Sequence, residues 1–166
     1  MAPALLADSE ANLNGWFAFV DAVQTEVVAA HPGADNTNTA VEFRGGHAVS
    51  SGMGWGLFCS DVSRYSGVSF WAKGRGGDHI RFQVAVPATD GQPGRGDCLA
   101  ECNDHPGESL VLTNAWKQYT VHWDELHQEG WGARGNFAGI ANSLLWINDG
   151  AVDSFDFEVD QVSLVK

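Results

Sequence analysis

The stretch 113–132, TNAWKQYTVHWDELHQEGWG, decides the fold. Tyr119, Val121 and Trp123 alternate with Gln118, Thr120 and His122, the period of two that a strand shows when it buries one face. Thr113-Asn114 is a turn signal ahead of it, and Asp124-Glu125-Leu126-His127 behind it suits a short turn of helix. Gly130 and Gly132 bracket Trp131 and place its ring in irregular backbone near the surface. The unit is a strand entered through Trp116 and left through a polar, Trp-bearing loop.

The rest of the chain repeats that theme. WFAFVDAVQTEVV (16–28) reads as one or two strands broken near Asp21, followed by a polar loop over 31–39. AVEFR (40–44) ends at a Gly-Gly pair, and SSGMGWGLFCS (50–60) is Gly-rich, then apolar. VSFWA (68–72), IRFQVAVP (80–87), SLLWIN (143–148) and FDFEVDQVSLV (155–165) complete the strand set. In IRFQVAVP, Ile80, Phe82, Val84 and Val86 form one face and Arg81, Gln83 and Ala85 the other. Residues 88–109 read as a long loop. About eight short strands at regular spacing, without an amphipathic helix, predict an all-β fold, an antiparallel β-sandwich or jelly roll. No repeat or linker divides the chain, so residues 1–166 are expected to be one domain.

Twenty-one acidic residues against nine Lys and Arg give a formal net charge of -12. That argues against nucleic acid, whose phosphates need cationic side chains, and against anionic membrane surfaces. No apolar run is long enough to span a bilayer. Met1-Ala2-Pro3 has neither a basic n-region nor an apolar h-region, as expected of a piece cut from a longer secreted protein. Of the three cysteines, Cys98 and Cys102 lie close enough in one loop to bridge, and Cys59, in an apolar strand, reads as a buried free thiol. Cys98, Cys102 and His105 also resemble a partial zinc site, but with no evident fourth ligand a disulfide is the preferred reading, and it implies an oxidising compartment.

YSGVSFWAKG (65–74), IRFQVAVP, CLAECNDHPG (98–107), WKQYTVHWDELHQEGWG (116–132) and FDFEVDQVSLV follow one another in an order that resembles one family. It is that of the jelly-roll, galactose-binding-like carbohydrate-binding modules of secreted bacterial polysaccharide-degrading enzymes. The resemblance covers nearly the whole chain. It implies a secreted, extracellular, non-catalytic module that binds a polysaccharide in a groove on one sheet and is covalently linked to a catalytic domain. A β-glucan of the cellulose type is the first expectation, with xylan or mannan next.

Sugars present apolar C–H faces that an aromatic ring buries, and seven Trp invite that use. Trp16, Trp71, Trp116 and Trp123 sit in or beside strands and are expected to be structural. Trp55 and Trp131 stand between glycines, and Trp146 shares a strand face with Asn148. These three are the stacking candidates, the alternative for each being burial in the core. Arg81, Gln83 and Asn148 are expected to meet hydroxyls from the groove face, with Asp104 and His105 at its edge.

Asp8 and Glu10 share a strand face, and Asp160 lies on the terminal strand, which in such sandwiches often runs beside the first. The resemblance implies a structural Ca²⁺ there, with carbonyls near 33–38 completing its shell; the alternative is three solvated acids. Acids suffice for a glycosidase pair, but no nucleophile elbow, zincin helix or phosphate loop appears. A polysaccharide lyase or hydrolase, and a protein or cell-surface adhesion module on the same sandwich, remain the competing classes.

Overall fold

The computed structural model describes residues 4–7, 13–19, 26–46, 51–148 and 154–166. The strands are β1 (Ala4–Ala7), β2 (Trp16–Phe19), β3 (Glu26–Ala30), β4 (Ala40–Gly46), β5 (Gly52–Asp61), β6 (Gly67–Gly74), β7 (His79–Ala85), β8 (Gly107–Val111), β9 (Lys117–His122), β10 (Ile140–Asn148) and β11 (Ser154–Val165). One antiparallel sheet runs β3-β4-β11-β6-β9, with β1 also pairing β11. The other runs β2-β5-β10-β7-β8. The stretch expected to hold one or two strands thus splits between the sheets as β2 and β3. The end of the expected 88–109 loop becomes the edge strand β8. The short helical turn is a 3₁₀ turn at Trp123–Glu125, where the Glu125 carboxylate accepts the His122 backbone N–H at 2.7 Å.

Each sheet buries one face. Phe43, Val68, Phe70, Tyr119, Val121, Phe157 and Val159 point inward from the first sheet, and Met53, Ile80, Phe82, Val84, Leu144 and Trp146 from the second. β11 changes phase part-way. Gln161 takes a left-handed φ of 47° at a register shift against β6, so Val162 and Leu164 also face the core. Asp160 sits at that bulge, 1% exposed under the 31–39 loop. Its Oδ2 accepts the Ala34 N–H (2.8 Å) and the Thr37 hydroxyl (2.6 Å), and its Oδ1 the Gln161 N–H (2.8 Å).

Trp146 corrects a sequence expectation. It is fully buried, with ring centroids 5.4 Å from Trp16, 5.4 Å from Phe70 and 5.5 Å from Phe82. The cause is parity: on β10, Leu144 and Trp146 face in, while Leu145 and Ile147 face out. Trp55 likewise packs half-buried against the core, sharing its face of β5 with Met53 and Leu57. Trp146→Ala is therefore expected to cost about 3–5 kcal/mol of stability, the range for aromatic truncation in cores, measured by urea denaturation.

Candidate functional site

The outward face of the β2-β5-β10-β7-β8 sheet carries a groove of about 580 Å³. The floor follows from register. Phe17 and Phe19 of β2 pair with Gly54 and Gly52 of β5, which pair in turn with Leu145 and Ile147 of β10. Leu145 and Ile147 pair with Gln83 and Arg81 of β7. The β5 glycines leave room for rings: a Cβ on Gly52 would meet Phe19 Cζ at 2.9 Å, and one on Gly54 would meet Phe17 Cζ at 2.5 Å. One half of the floor is thus apolar, and the other carries an amide and a guanidinium.

Loops build the wall. Asp90, Gln92, Arg95, Asn103, His105, Glu129 and Trp131 line it, together with Cys102. Cys102 is bridged to Cys98, as expected, with Cα atoms 5.8 Å apart. Trp131 is 56% exposed, and its indole N–H donates to Glu129 Oε2 at 3.0 Å, which sets the ring's tilt. Asp104 holds that loop in place. Its buried carboxylate accepts the backbone N–H groups of Glu129 (3.0 Å), Gly130 (2.8 Å) and Gly132 (3.1 Å). Asp104 is not among the groove-lining residues, a correction to the expected hydroxyl contact: its oxygens are committed to backbone.

Arg81 is 5% exposed and mostly spent on structure. Its Nη2 donates to the carbonyls of His127 (2.6 Å) and Gly107 (3.3 Å), and Nη1 to Ser109 Oγ (3.4 Å). The planar fork expected to meet sugar hydroxyls instead clamps β8 to the chain after the 3₁₀ turn. Two enclosed atoms of the floor have no hydrogen-bond partner, Arg81 Nε and Gln83 Oε1. Buried polar groups are nearly always paired, so the floor carries unmet hydrogen-bonding demand beneath the groove. His105, 5% exposed, has Nδ1 2.6 Å from Thr89 Oγ1. Burial lowers its pKa to about 4 against the raising influence of Asp90 and Asp104, so the ring is neutral at pH 7.

Of the sequence candidates, Arg81, Gln83, His105, Trp131 and Asn148 line the groove; Trp55, Asp104 and Trp146 do not. Sequence reasoning missed Phe17, Phe19, Leu145 and Ile147, whose outward parity was hidden in strands apolar on both faces. Asp8 and Glu10 lie outside the described residues. Asp160 has its donors in the 33–37 loop and its own neighbour. Among the described residues no three His, Cys, Asp or Glu side chains gather closely enough to hold a metal. Cys59 is exposed rather than buried, because it and Phe58 adopt left-handed backbone at a β5 bulge and swing out of the strand's alternation.

No family model and no curated sequence matches the chain. Solved structures do share its architecture. The family 11 carbohydrate-binding module from Clostridium thermocellum, in complex with a β-1,3-1,4-mixed-linked tetrasaccharide, aligns at a TM-score of 0.73 and 20% identity, covering 98% of this chain and 94% of that one. The fold is that of the jelly-roll carbohydrate-binding modules. The family 30 module of a cellulosomal cellulase from the same organism aligns at 0.68 and 12% identity, covering 92% and 91% of the two chains. A C. thermocellum xylanase fragment, a family 22 module joined to a family 10 catalytic module and complexed with xylohexaose, aligns at 0.63 and 16% identity. That match covers 100% of this chain and 29% of the other.

Asp104→Ala is expected to cost about 1–3 kcal/mol, since it strands buried N–H donors, and to raise the mobility of Trp131, read as loss of anisotropy in its fluorescence. His105 gives a pH signature. Its folded pKa lies below the unfolded value of 6.5, so the unfolded chain binds the extra proton between pH 6.5 and about 4. Stability falls as pH drops through that window and levels off below it. His105→Gln is expected to remove that part of the acid sensitivity in denaturation series.

Proposed function

We propose that this domain is a non-catalytic module that holds a polysaccharide chain in the groove of the β2-β5-β10-β7-β8 sheet. One observation carries the reading: an open trough whose floor is apolar on one side and lined by polar side chains on the other, walled by an exposed Trp. A sugar ring has the complementary surface, an apolar C–H face edged by hydroxyls. Phe17, Phe19 and Trp131 supply ring contacts; Gln83, His105 and Asn148 supply directed polar contacts. A neutral His105 both donates and accepts, which suits hydroxyls better than a cation would.

The glycan we favour is a β-glucan, with xylan and mannan behind it. Support comes from the family 11 relative's mixed-linked tetrasaccharide and the xylanase fragment's xylohexaose. Attachment to a secreted polysaccharide-degrading enzyme belongs to the same proposal. Binding is favoured over hydrolysis because the similar solved structures include carbohydrate-binding modules, and the groove's two carboxylates help to hold its walls. Asp90 accepts the Gln92 N–H (2.9 Å) and the Asn142 amide (2.9 Å), and Glu129 accepts the Trp131 indole.

Affinity electrophoresis against soluble β-glucan, xylan and mannan tests the reading. Retardation by at least one polymer is expected, with no new reducing ends or unsaturated products on incubation. Trp131→Ala is expected to weaken retention about tenfold while leaving the melting temperature nearly unchanged. Failure to bind any of the three, or release of products, overturns the reading.

A further inference from the structure

Phe58 is 71% exposed and occupies left-handed backbone at φ 53°, followed by Cys59 at φ 60°. Such a conformation is disfavoured for a bulky side chain and persists only where its surroundings over-determine it. Those surroundings are on the page. β10 shifts register against β5 between Ala141 and Ser143, at Asn142, which is fully buried. The Asn142 amide donates to Asp90 Oδ2 (2.9 Å) and the Arg95 carbonyl (2.7 Å), and its Oδ1 accepts the Cys59 thiol at 3.1 Å. Asp90 and Arg95 are groove-wall residues. The bulge that turns Phe58 outward is therefore braced by the wall of the groove.

The position of the ring is specific. A Cβ on Gly56 would meet Phe58 Cζ at 2.9 Å and Cε2 at 3.0 Å, so the ring lies over that glycine. Phe19 lies over Gly52 and Phe17 over Gly54 in the same manner. Three successive same-face glycines of β5 thus each carry a Phe ring, two inside the groove and the third past its end. Gly56 pairs with Ser143, which lines the groove, so the third ring sits next to the floor on the same sheet.

We propose that Phe58 is an end subsite of the groove, stacking on a sugar residue of a chain that runs along β5 beyond the trough. The proposal rests on the polysaccharide reading above and extends it: the site prefers a long chain over a short oligosaccharide. The bracing of the bulge through Asn142 keeps the ring open to solvent when no glycan is bound.

Phe58→Gly tests this, because glycine tolerates φ 53° and the variant is expected to melt no lower than wild type. The probes are mixed-linkage β-glucan, xylan and mannan, each as polymer and as tetrasaccharide, with affinities from calorimetry. For a glycan that wild type binds, Phe58→Gly is expected to lose about five- to tenfold in affinity for the polymer and to stay within about twofold for the tetrasaccharide. Phe58→Tyr, which keeps a ring, is expected to retain polymer affinity. Unchanged polymer affinity in Phe58→Gly overturns the proposal. So does an equal loss on both lengths, which makes the ring part of the trough itself. Wild type binding neither form of any glycan removes the polysaccharide reading and this subsite together.

Discussion

Trp146 meets Phe70 edge-on across the sandwich, at an interplanar angle of 87°, and lies against Phe82 and Trp16 of its own sheet. A ring of that size cannot be moved to the other face of β10 without opening the core, so its seating fixes the strand's phase. With Trp146 inward, Leu145 and Ile147 must face out, and their register partners Gly54, Gly52, Gln83 and Arg81 must share that face. The groove's chemistry is thus set from behind. Interior packing chooses which residues the outer surface presents.

Where one face of a strand is plainly polar, the sequence is readable. In β7, Ile80, Phe82 and Val84 alternate with Arg81 and Gln83, and both faces fall where the alternation puts them. β9 behaves the same way through Tyr119 and Val121. SLLWIN gives no such clue, because its strand is apolar on both sides, Leu144 and Trp146 inward and Leu145 and Ile147 outward. Its large Trp then looks like a surface ring when it is the centre of the core. β5 did hold a signal: Met53, Trp55 and Leu57 alternate with glycines, which pairs Trp55 with two core residues. What it did not hold is the source of the rings above those glycines. Phe17 and Phe19 come from a strand far off in sequence, and Phe58 from a bulge that breaks the period.

The loop side of the groove obeys a different rule. There, buried polar groups hold irregular backbone in one shape, each doing a job no hydrophobic contact could do with the same direction. Asp104 gathers three N–H groups behind Trp131; Asn142 ties β10 to the 90–95 loop; Arg81 binds carbonyls on either side of the 107–127 bridge. Neighbours in sequence consequently have separate tasks. Asp104 faces away from the groove and His105 faces it. A residue type alone did not distinguish them, since both are short-range polar groups in one loop.

Charge is partitioned in the same spirit. A cluster of acids lies on the outward face of the opposite sheet, where Glu42 pairs with Glu158 and Glu158 with Lys73. Like carboxylates facing one another there are offset by the Lys73–Glu158 ion pair at 3.1 Å and by Arg44 on Glu42 at 2.7 Å. Burial still leaves the Glu158 carboxyl above its usual range, with Glu42 and Asp156 adding to the rise. The groove has no such crowding. Its two carboxylates, Asp90 and Glu129, share the lining with two arginines, Arg81 and Arg95, and both acids accept protein donors. The groove surface is therefore nearly balanced in charge within a strongly acidic protein. An uncharged chain of hydroxyls loses little by entering such a trough, whereas a polyanion would approach against the repulsion of the whole molecule. That difference shrinks as salt screens the long-range field, and it follows from where the acids sit rather than from any one of them.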